Sequence, residues 1–233
     1  MNGIIRKRKS IRKYDSTKLD NNILERVKKQ IEEVTPLYPD IKYSIEIVDK
    51  AKRAFGINAP HYLVLRSEKR EGMHENIGFI GQQLDLYFSA NGLGSCWVGM
   101  AKPESDPKDS LQYVICISFG KPAEPLHRSL SGFKRKPLKS ISEGNDPRLE
   151  GARLAPSGIN AQGWYFIAED GRIHSYYKRM SPLLGKMMSN LAPIDLGIAL
   201  YHIASESKSF GFVKKSHVPE VKGYQYAGTI LSQ

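Results

Sequence analysis

The chain repeats one order of predicted elements in its two halves, and this repetition limits its possible folds more than any other feature of the sequence. Each half carries a helix, a strand opening with Gly-Ile-Asn-Ala, a long helix, a short strand and a final strand. The four-residue identity occurs at 56–59 and at 158–161, and a Leu-Tyr pair recurs at 86–87 and 200–201. We therefore predict an internal duplication in which the two identical segments occupy equivalent places.

Apolar periodicity and turn residues predict the elements of both halves. The first half has a helix capped by Asp20 and ended by Pro36, strands at 41–47, 61–65 and 111–119, and a long helix at 75–90. The second half has a helix beginning at Asp146-Pro147, a hairpin of strands 164–168 and 172–176, a helix from Pro193 to 207, and strands at 210–214 and 224–231. We expect a first half at 1–120, a basic connector at 121–145 and a second half at 146–233.

Positive charge is concentrated in two segments of the chain, which has a formal net charge of +11. Residues 1–30 hold ten Lys or Arg against three Asp or Glu, and residues 121–140 hold six against one. Two solvated basic faces would explain this distribution. A nucleic-acid surface would need a recognisable binding module, and the sequence shows none. A third interpretation is that both segments converge on one phosphate group.

Other features exclude several classes of protein. No apolar run approaches the roughly 18 residues of a membrane-spanning helix, and the basic N-terminal segment lacks the apolar stretch of a secretory signal. The six histidines show no metal-ligand spacing. Cys96 and Cys116 lie in apolar segments and are predicted to be reduced core thiols of a cytoplasmic protein.

A turn within residues 152–166 is the strongest local indication of a ligand. It reads ARLAPSGINAQGWYF, so a helical run is followed by Pro-Ser-Gly, two carboxamides and three aromatic residues. Such a turn exposes backbone N–H groups, and Asn160 and Gln162 can donate and accept hydrogen bonds at once. Many ordinary connections also contain Pro, Ser and Gly, so this turn alone is weak evidence.

Four segments together resemble the FMN-dependent nitroreductase superfamily: RKRKSIRKYD, GLGSCWVGM, FKRKPL and APSGINAQGW. The resemblance covers nearly the whole chain and implies an α+β fold with mixed sheets flanked by helices. In ordinary members the Pro-Ser turn follows the basic arm closely, and FMN lies between two subunits. Here the arm is in the first half and the turn in the second. This order resembles a branch in which one chain folds as a pseudo-dimer that keeps one flavin site.

The resemblance also implies roles for individual residues. The cofactor-binding residues it implies are Arg8, Lys9, Ser10 and Arg12 in the arm, Val98 and Gly99 in the glycine-rich strand, Arg135 in the basic tail, and Pro156, Ser157 and Asn160 in the turn. The arm and the tail would bind the phosphate, and the strand and the turn would contact the flavin ring. Gly163 departs from the family's usual proline before the tryptophan.

The implied function is an FMN-dependent oxidoreductase that passes electrons from NAD(P)H to a nitroaromatic, a quinone or a similar acceptor. Because the cofactor carries the chemistry, no side-chain acid or base is assigned. One alternative is a flavin-binding or regulatory protein without turnover. A more remote alternative is a basic protein associated with nucleic acid.

Two further expectations concern substrate and assembly. Methionines and leucines recur at helical spacing within residues 177–191, which favours either a buried helix face or a cover over the flavin. On the second interpretation Met187 or Met188 lines the substrate side of the flavin. We expect one FMN per chain and a monomer, with a weak homodimer as the alternative, and neither a nucleic-acid nor a membrane partner.

Overall fold

The computed structural model describes residues 2–52, 54, 56–104, 110–179 and 190–231. Its helices are α1 (Asn2–Ile5), α2 (Asn21–Glu32), α3 (Met73–Ala90), α4 (Leu149–Leu154) and α5 (Leu191–Glu206). Its strands are β1 (Tyr43–Val48), β2 (Ala51–Lys52), β3 (His61–Ser67), β4 (Gly94–Val98), β5 (Lys102–Pro103), β6 (Gln112–Gly120), β7 (Ser142–Glu143), β8 (Trp164–Glu169), β9 (Arg172–Lys178), β10 (Gly211–Val213) and β11 (Tyr224–Leu231).

Two sheets carry most of these strands. The first has the order β1-β3-β6-β4 and is antiparallel throughout. The second has the order β10-β11-β9-β8-β7, and only its β7–β8 pair is parallel. Strands β2 and β5 form a small separate pair. The predicted α+β class, with sheets and helices in each half, is confirmed.

Both sheets follow the same path, although the sequence repeat had suggested a different alignment. When the short edge strand β7, which has no counterpart in the first sheet, is left out, the first strand of each sheet pairs with the second, the second with the last, and the last with the third. The strand Trp164–Glu169 is therefore equivalent to Tyr43–Val48. The predicted alignment of the two Gly-Ile-Asn-Ala segments is wrong, because residues 56–59 precede β3, whereas residues 158–161 precede β8, the counterpart of β1.

The two halves meet where helices α3 and α5 cross. A Cβ atom added at Gly78 would lie 2.1 Å from the carbonyl oxygen of Ile194, and one added at Gly197 would lie 2.1 Å from that of Glu75. Each glycine thus contacts the residue three positions before the other glycine. This reciprocity is that of a two-fold arrangement. Gly78 is therefore equivalent to Gly197, and Glu75 to Ile194. The Leu-Tyr pairs at 86–87 and 200–201 do not follow this spacing, so their predicted match is also wrong.

Burial explains why these segments form their elements. Helix α3 is buried along almost its whole length and α5 along most of it, and they pack on the first and second sheets respectively. Helix α2 buries only Val27 fully and keeps an exposed charged face. Within the described chain, no helix is both long and apolar enough to cross a membrane.

The connector ties the N-terminal arm to the second sheet. Residues 8 and 14 of the arm form isolated β-bridges with residues 127 and 122 of the connector. The connector then supplies the edge strand Ser142–Glu143, which pairs with β8. Helix α4 begins at Leu149 rather than at Asp146-Pro147, since the Asp146 carboxylate binds Arg148 just before the helix.

Candidate active site

A cavity of about 210 Å³ lies between the two halves of the chain. The first half contributes Ser10, Arg12, Cys96, Trp97, Gly99, Met100 and Ile115 to its wall. The second half contributes Pro156, Ser157, Gly158, Ile159, Leu191, Ile194, Asp195 and Ile198. Of the predicted cofactor-binding residues, Ser10, Arg12, Gly99, Pro156 and Ser157 are thus brought to one cavity.

A glycine lets the N-terminal arm lie directly on strand β4. The backbone N–H of Ile11 donates to the carbonyl oxygen of Ser95 at 2.9 Å. A Cβ atom added at Gly94 would lie 2.7 Å from the fully buried side chain of Ile11. The glycine-rich strand therefore has a packing role as well as its predicted contact with the flavin, because a larger residue would displace the arm.

Arg8 is almost completely buried, with 1% of its surface exposed. Its Nε atom lies 2.9 Å from Asp85 Oδ2, and its Nη2 atom donates to Ser10 Oγ at 3.1 Å. Its Nη1 atom is buried without a hydrogen-bond partner. A buried guanidinium nitrogen without an acceptor is unfavourable, so this geometry favours an anion at that position.

Arg135 and Arg128 flank the ring of Phe133, at 5.5 and 4.9 Å from its centroid. Arg135 donates from Nη1 to Asn160 Oδ1 at 2.8 Å and from Nη2 to the Leu154 carbonyl at 3.2 Å. The Nε atoms of both arginines are buried without a hydrogen-bond partner.

The three arginines are close enough to perturb one another. Burial, and then the charges of Arg8 and Arg128, lower the pKa of Arg135 to about 10. Burial, and then Arg8 and Arg12, lower the pKa of Arg128. Repulsion between buried cations is relieved by an anion placed among them. The sequence had shown Arg128 only as part of a basic segment, because its position over an aromatic ring has no sequence signature.

Lys9 is the arm residue that the structure places elsewhere. Its ammonium group donates to Glu124 Oε2 at 2.7 Å and to the Pro125 carbonyl at 3.0 Å. Glu124 also accepts from the backbone N–H of Arg12 at 2.9 Å, and the hydrogen bond from Lys9 is the main reason that its pKa is lowered to about 2. Lys9 therefore attaches the arm to the connector.

The Pro-Ser turn contains three residues with left-handed backbone conformations: Ile159 (φ 49°), Asn160 (φ 57°) and Gln162 (φ 47°). Such a conformation is rare for a β-branched residue and costs about 1–3 kcal/mol. Ile159 is nevertheless at the cavity wall, and 82% of it is exposed. Unusual backbone at a cavity wall is typical of binding sites.

The carboxamides of the turn are used within the protein. Asn160 accepts from Arg135 and donates from Nδ2 to the Lys134 carbonyl at 3.0 Å. Gln162 accepts from the backbone N–H of Lys136 at 2.6 Å. The structure thus gives Asn160 a role in positioning Arg135, while its predicted contact with the flavin ring stays a prediction.

Three more of the predicted site residues, Val98, Met187 and Met188, are not among the described residues that line the cavity. The Val98 side chain packs in a small apolar cluster with Val64, Ala101 and Cys116, while the next residue, Gly99, lines the cavity. Met187 and Met188 lie outside the described residues, so their substrate role stays a prediction. Leu191, at the end of the same segment, lines the cavity.

Asp195 is a cavity residue that the sequence interpretation missed. It is 5% exposed, and its Oδ1 atom accepts from the backbone N–H of Gly158 at 2.9 Å. Burial raises the pKa of the Asp195 carboxyl to about 7, and the Gly158 hydrogen bond partly opposes this rise. A single acidic residue inside the apolar run of α5 was the available signal.

A buried polar network supports the arginine cluster from behind. Asp85 accepts from Ser95 Oγ at 2.7 Å and from Gln82 Nε2 at 3.0 Å. Gln82 also lies 3.1 Å from His202 Nε2, and His202 Nδ1 lies 2.9 Å from the Gly151 carbonyl. Burial lowers the pKa of His202 to about 3, so this histidine is neutral, donates to Gly151 and accepts from Gln82. The network fixes Asp85 and thereby Arg8.

Comparison with known proteins identifies the class. The chain matches the family model described as "Putative TM nitroreductase" over residues 2–207. It therefore belongs to this nitroreductase family, as its four segments had indicated.

A solved structure described as a nitroreductase from Thermotoga maritima has the same fold. It matches with a TM-score of 0.63 and 24% identity, over 98% of this chain and 91% of that chain. An FMN-dependent nitroreductase from Clostridium difficile R20291 matches with a TM-score of 0.47 and 20% identity, over 63% of this chain and 100% of that chain. A comparison with curated proteins found no match.

Proposed function

We propose that this nitroreductase-family chain binds FMN and uses NAD(P)H to reduce a small electron-poor acceptor, such as a nitroaromatic or a quinone. One observation carries the proposal. Arg8, Arg128 and Arg135 converge with buried nitrogen atoms that have no hydrogen-bond partner, and Ser10, to which Arg8 donates, also lines an apolar cavity. This combination suits a ligand with a doubly charged end and a flat, mainly apolar body.

The residues fit the flavin that the family implies. The three arginines would hold the phosphate, which is close to dianionic at neutral pH and offers three strong acceptor oxygens. The asymmetry of the site would orient the ligand, because the part of the wall formed by Leu191, Ile194 and Ile198 has no comparable concentration of basic residues among those the structure describes.

The protein's own contribution would be to bind, to orient and to exclude water. Leu191, Ile194 and Ile198 of α5 present aliphatic surface to the cavity, and Trp97 and Ile115 of the first half also line it. Such a wall keeps bulk water from the ring and strengthens polar contacts made inside. FMN, when bound, supplies the electron-transfer chemistry.

We further propose that the chain is an internal pseudo-dimer with one flavin site and one FMN per chain. The arm and β4 come from the first half, whereas the Pro-Ser turn and α5 come from the second, and all four contribute to the cavity. A site assembled within one chain needs no second copy, so the protein would act as a monomer.

Flavin analysis of the purified protein tests this function. We expect about one FMN per chain from the visible spectrum after release, and oxidation of NADH or NADPH that depends on an added quinone or nitroaromatic. Two flavins per chain would contradict the single site. Bound flavin without turnover would favour a binding or regulatory role, and a protein that takes up no FMN would overturn the proposal.

A further inference from the structure

Among the described residues that line the cavity, Asp195 alone has a carboxyl group, and only one of its two oxygen atoms is engaged by a hydrogen bond from those residues. Oδ1 accepts from the backbone N–H of Gly158, while Oδ2 makes no hydrogen bond within the described chain. The side chain is 5% exposed and stands between Leu191, Ile194 and Ile198. A charged carboxylate with one hydrogen bond is strongly disfavoured in such surroundings, whereas a neutral carboxyl is tolerated.

The other half of the molecule shows that the Gly158 hydrogen bond does not require a charge. By the helix crossing, Asn76 of α3 is equivalent to Asp195 of α5. Asn76 Oδ1 accepts from the backbone N–H of Tyr38 at 2.9 Å, the same distance as from Asp195 to Gly158. An amide is therefore sufficient to hold the turn that precedes β1, the counterpart of β8. The hydrogen bond to Gly158 therefore does not explain why position 195 has a carboxyl group.

Charged groups on the neighbouring elements are engaged elsewhere or lie across the cavity. The groups on the cavity wall are Arg12 of the arm, which is exposed, and Cys96 of β4, whose pKa is raised mainly by burial. On the elements packed against α5, Glu75 of α3 has its pKa raised mainly by burial, with Lys214 and Glu71 as weaker influences. Glu150 of α4 binds Arg153, and His174 of β9 bonds to Glu169 and Thr229. Burial is thus the main influence on the pKa of the Asp195 carboxyl, and no cation of the described residues is paired with it.

We propose that Asp195 is a ligand-contacting residue that enters the cavity with its proton, and that its free oxygen donates a hydrogen bond to an acceptor atom on the edge of the bound ring. This inference rests on the proposed function, in which that ring is the isoalloxazine of FMN. The oxidised ring offers carbonyl oxygens and unprotonated nitrogens as acceptors. No bond is broken in this step, since the proton stays on the carboxyl and is shared with the ring.

The test is the affinity for FMN between about pH 6.5 and about pH 9, a range in which the FMN phosphate is already largely dianionic. We expect the dissociation constant of the parent to rise roughly three- to tenfold with pH, because ionisation removes one neutral hydrogen bond. Asp195→Asn keeps a donor and the Gly158 contact, so its affinity should stay flat, near the parent's value at low pH. Glu75→Gln, which removes a buried carboxyl outside this cavity, should keep the parent's slope.

A second measurement reads the proton itself. The carboxyl carbon resonance that disappears in Asp195→Asn should titrate near neutral pH in the flavin-free protein and at higher pH with FMN bound, by linkage. A parent affinity that is flat or rises with pH would overturn the inference while leaving FMN binding intact. A resonance titrating near the ordinary aspartate value would overturn it as well. Failure to bind FMN at all would instead overturn the proposed function, and this contact with it.

Discussion

Two cavities lie beside the α3–α5 crossing, and they differ in open space and in charge. One is the cavity beside the Pro-Ser turn. The other, of about 190 Å³, is lined by Tyr38, the start of α3, and residues of β11. In the first cavity the equivalent turn position is Gly158, whereas in the second it is Tyr38. The tyrosine ring packs edge-on against Phe212, and Gly72 has no side chain to displace it.

The charges differ as well. The second cavity contains Arg70 together with the ion pair between Glu71 and Lys214 at 3.3 Å, so its local charge is nearly balanced. The first is adjacent to three converging arginines with unpartnered nitrogen atoms. The comparison indicates that two similar frameworks differ in what occupies corresponding ends: one end has open space beside unpartnered positive charge, and the other is filled by a tyrosine ring beside an ion pair.

The largest expected effect comes from Asp195→Asn, which places at position 195 the residue type found at the equivalent position 76. Burial raises the pKa of the Asp195 carboxyl to about 7 in the folded chain, whereas the pKa of an unfolded aspartate is about 3.9. Between these values the folded state binds more protons, so the free energy of unfolding falls as pH rises. We expect this loss to reach up to about 4 kcal/mol in the parent and to be absent in Asp195→Asn. Urea unfolding across this range would measure it, and parallel curves for the two proteins would contradict it.

Filling the open cavity as the other half does should abolish FMN binding. A Cβ atom at Gly158 would lie 3.3 Å from Leu191 Cδ1 and 3.8 Å from both Asp195 carboxylate oxygens, so the ring in Gly158→Tyr would enter the space proposed for the flavin. We expect the affinity to fall by about a hundredfold or more, since about 2.8 kcal/mol is enough. A fluorescence titration with FMN measures this, alongside thermal unfolding to verify the fold. The reciprocal Tyr38→Gly variant should still bind one FMN, and a second bound flavin would break the comparison.

The arginine cluster is tested by two variants that each remove one positive charge. Arg128→Ala removes a proposed phosphate contact, and charge-assisted hydrogen bonds contribute about 1.5–3 kcal/mol each, so FMN should bind roughly tenfold to a hundredfold more weakly. Lys9→Ala removes a cation already bound to Glu124 and should change the affinity less than about threefold. Equal losses in both variants would show that overall charge, rather than the cluster, attracts the flavin.

The smallest effect concerns strain in the turn. Ile159, Asn160 and Gln162 have positive φ, whereas no residue of the equivalent segment 36–42 does. Ile159→Asn should stabilise the protein by about 1 kcal/mol, because asparagine tolerates the left-handed region better than a β-branched residue. Chemical denaturation would detect this. A loss of stability would instead assign Ile159 a packing role at the cavity wall.

Local patterns in the sequence predicted elements more reliably than equivalences between halves. The 164–176 hairpin, the final strand at 224–231 and the long helix ending at residue 90 are found where periodicity placed them. The repeat was misaligned because identical letters were compared. The equivalent positions are occupied by different residues, Asn76 and Asp195, that make the same hydrogen bond.

The site residues divide in a similar way. The arm is extended, and successive side chains of an extended segment point to opposite sides, so Arg8, Ser10 and Arg12 reach the site while Lys9 turns towards Glu124. The sequence prediction assigned four residues of the RKRKSIRKYD segment to the site together and did not consider this alternation. Arg128 and Asp195 could be identified as site residues only from the structure. What marks them is a buried or partly buried side chain with an atom that has no hydrogen-bond partner among the described residues.

The glycine contact between α3 and α5 has a consequence at a distance. Because Gly78 and Gly197 let the two backbones touch, the crossing determines how far the arm on one half stands from the turn on the other. The contact between the two glycines therefore sets the width of the cavity. An alanine at either glycine would push the helices apart and widen the gap that the ring has to fill, so the affinity for a flat ligand would respond to residues that never contact it.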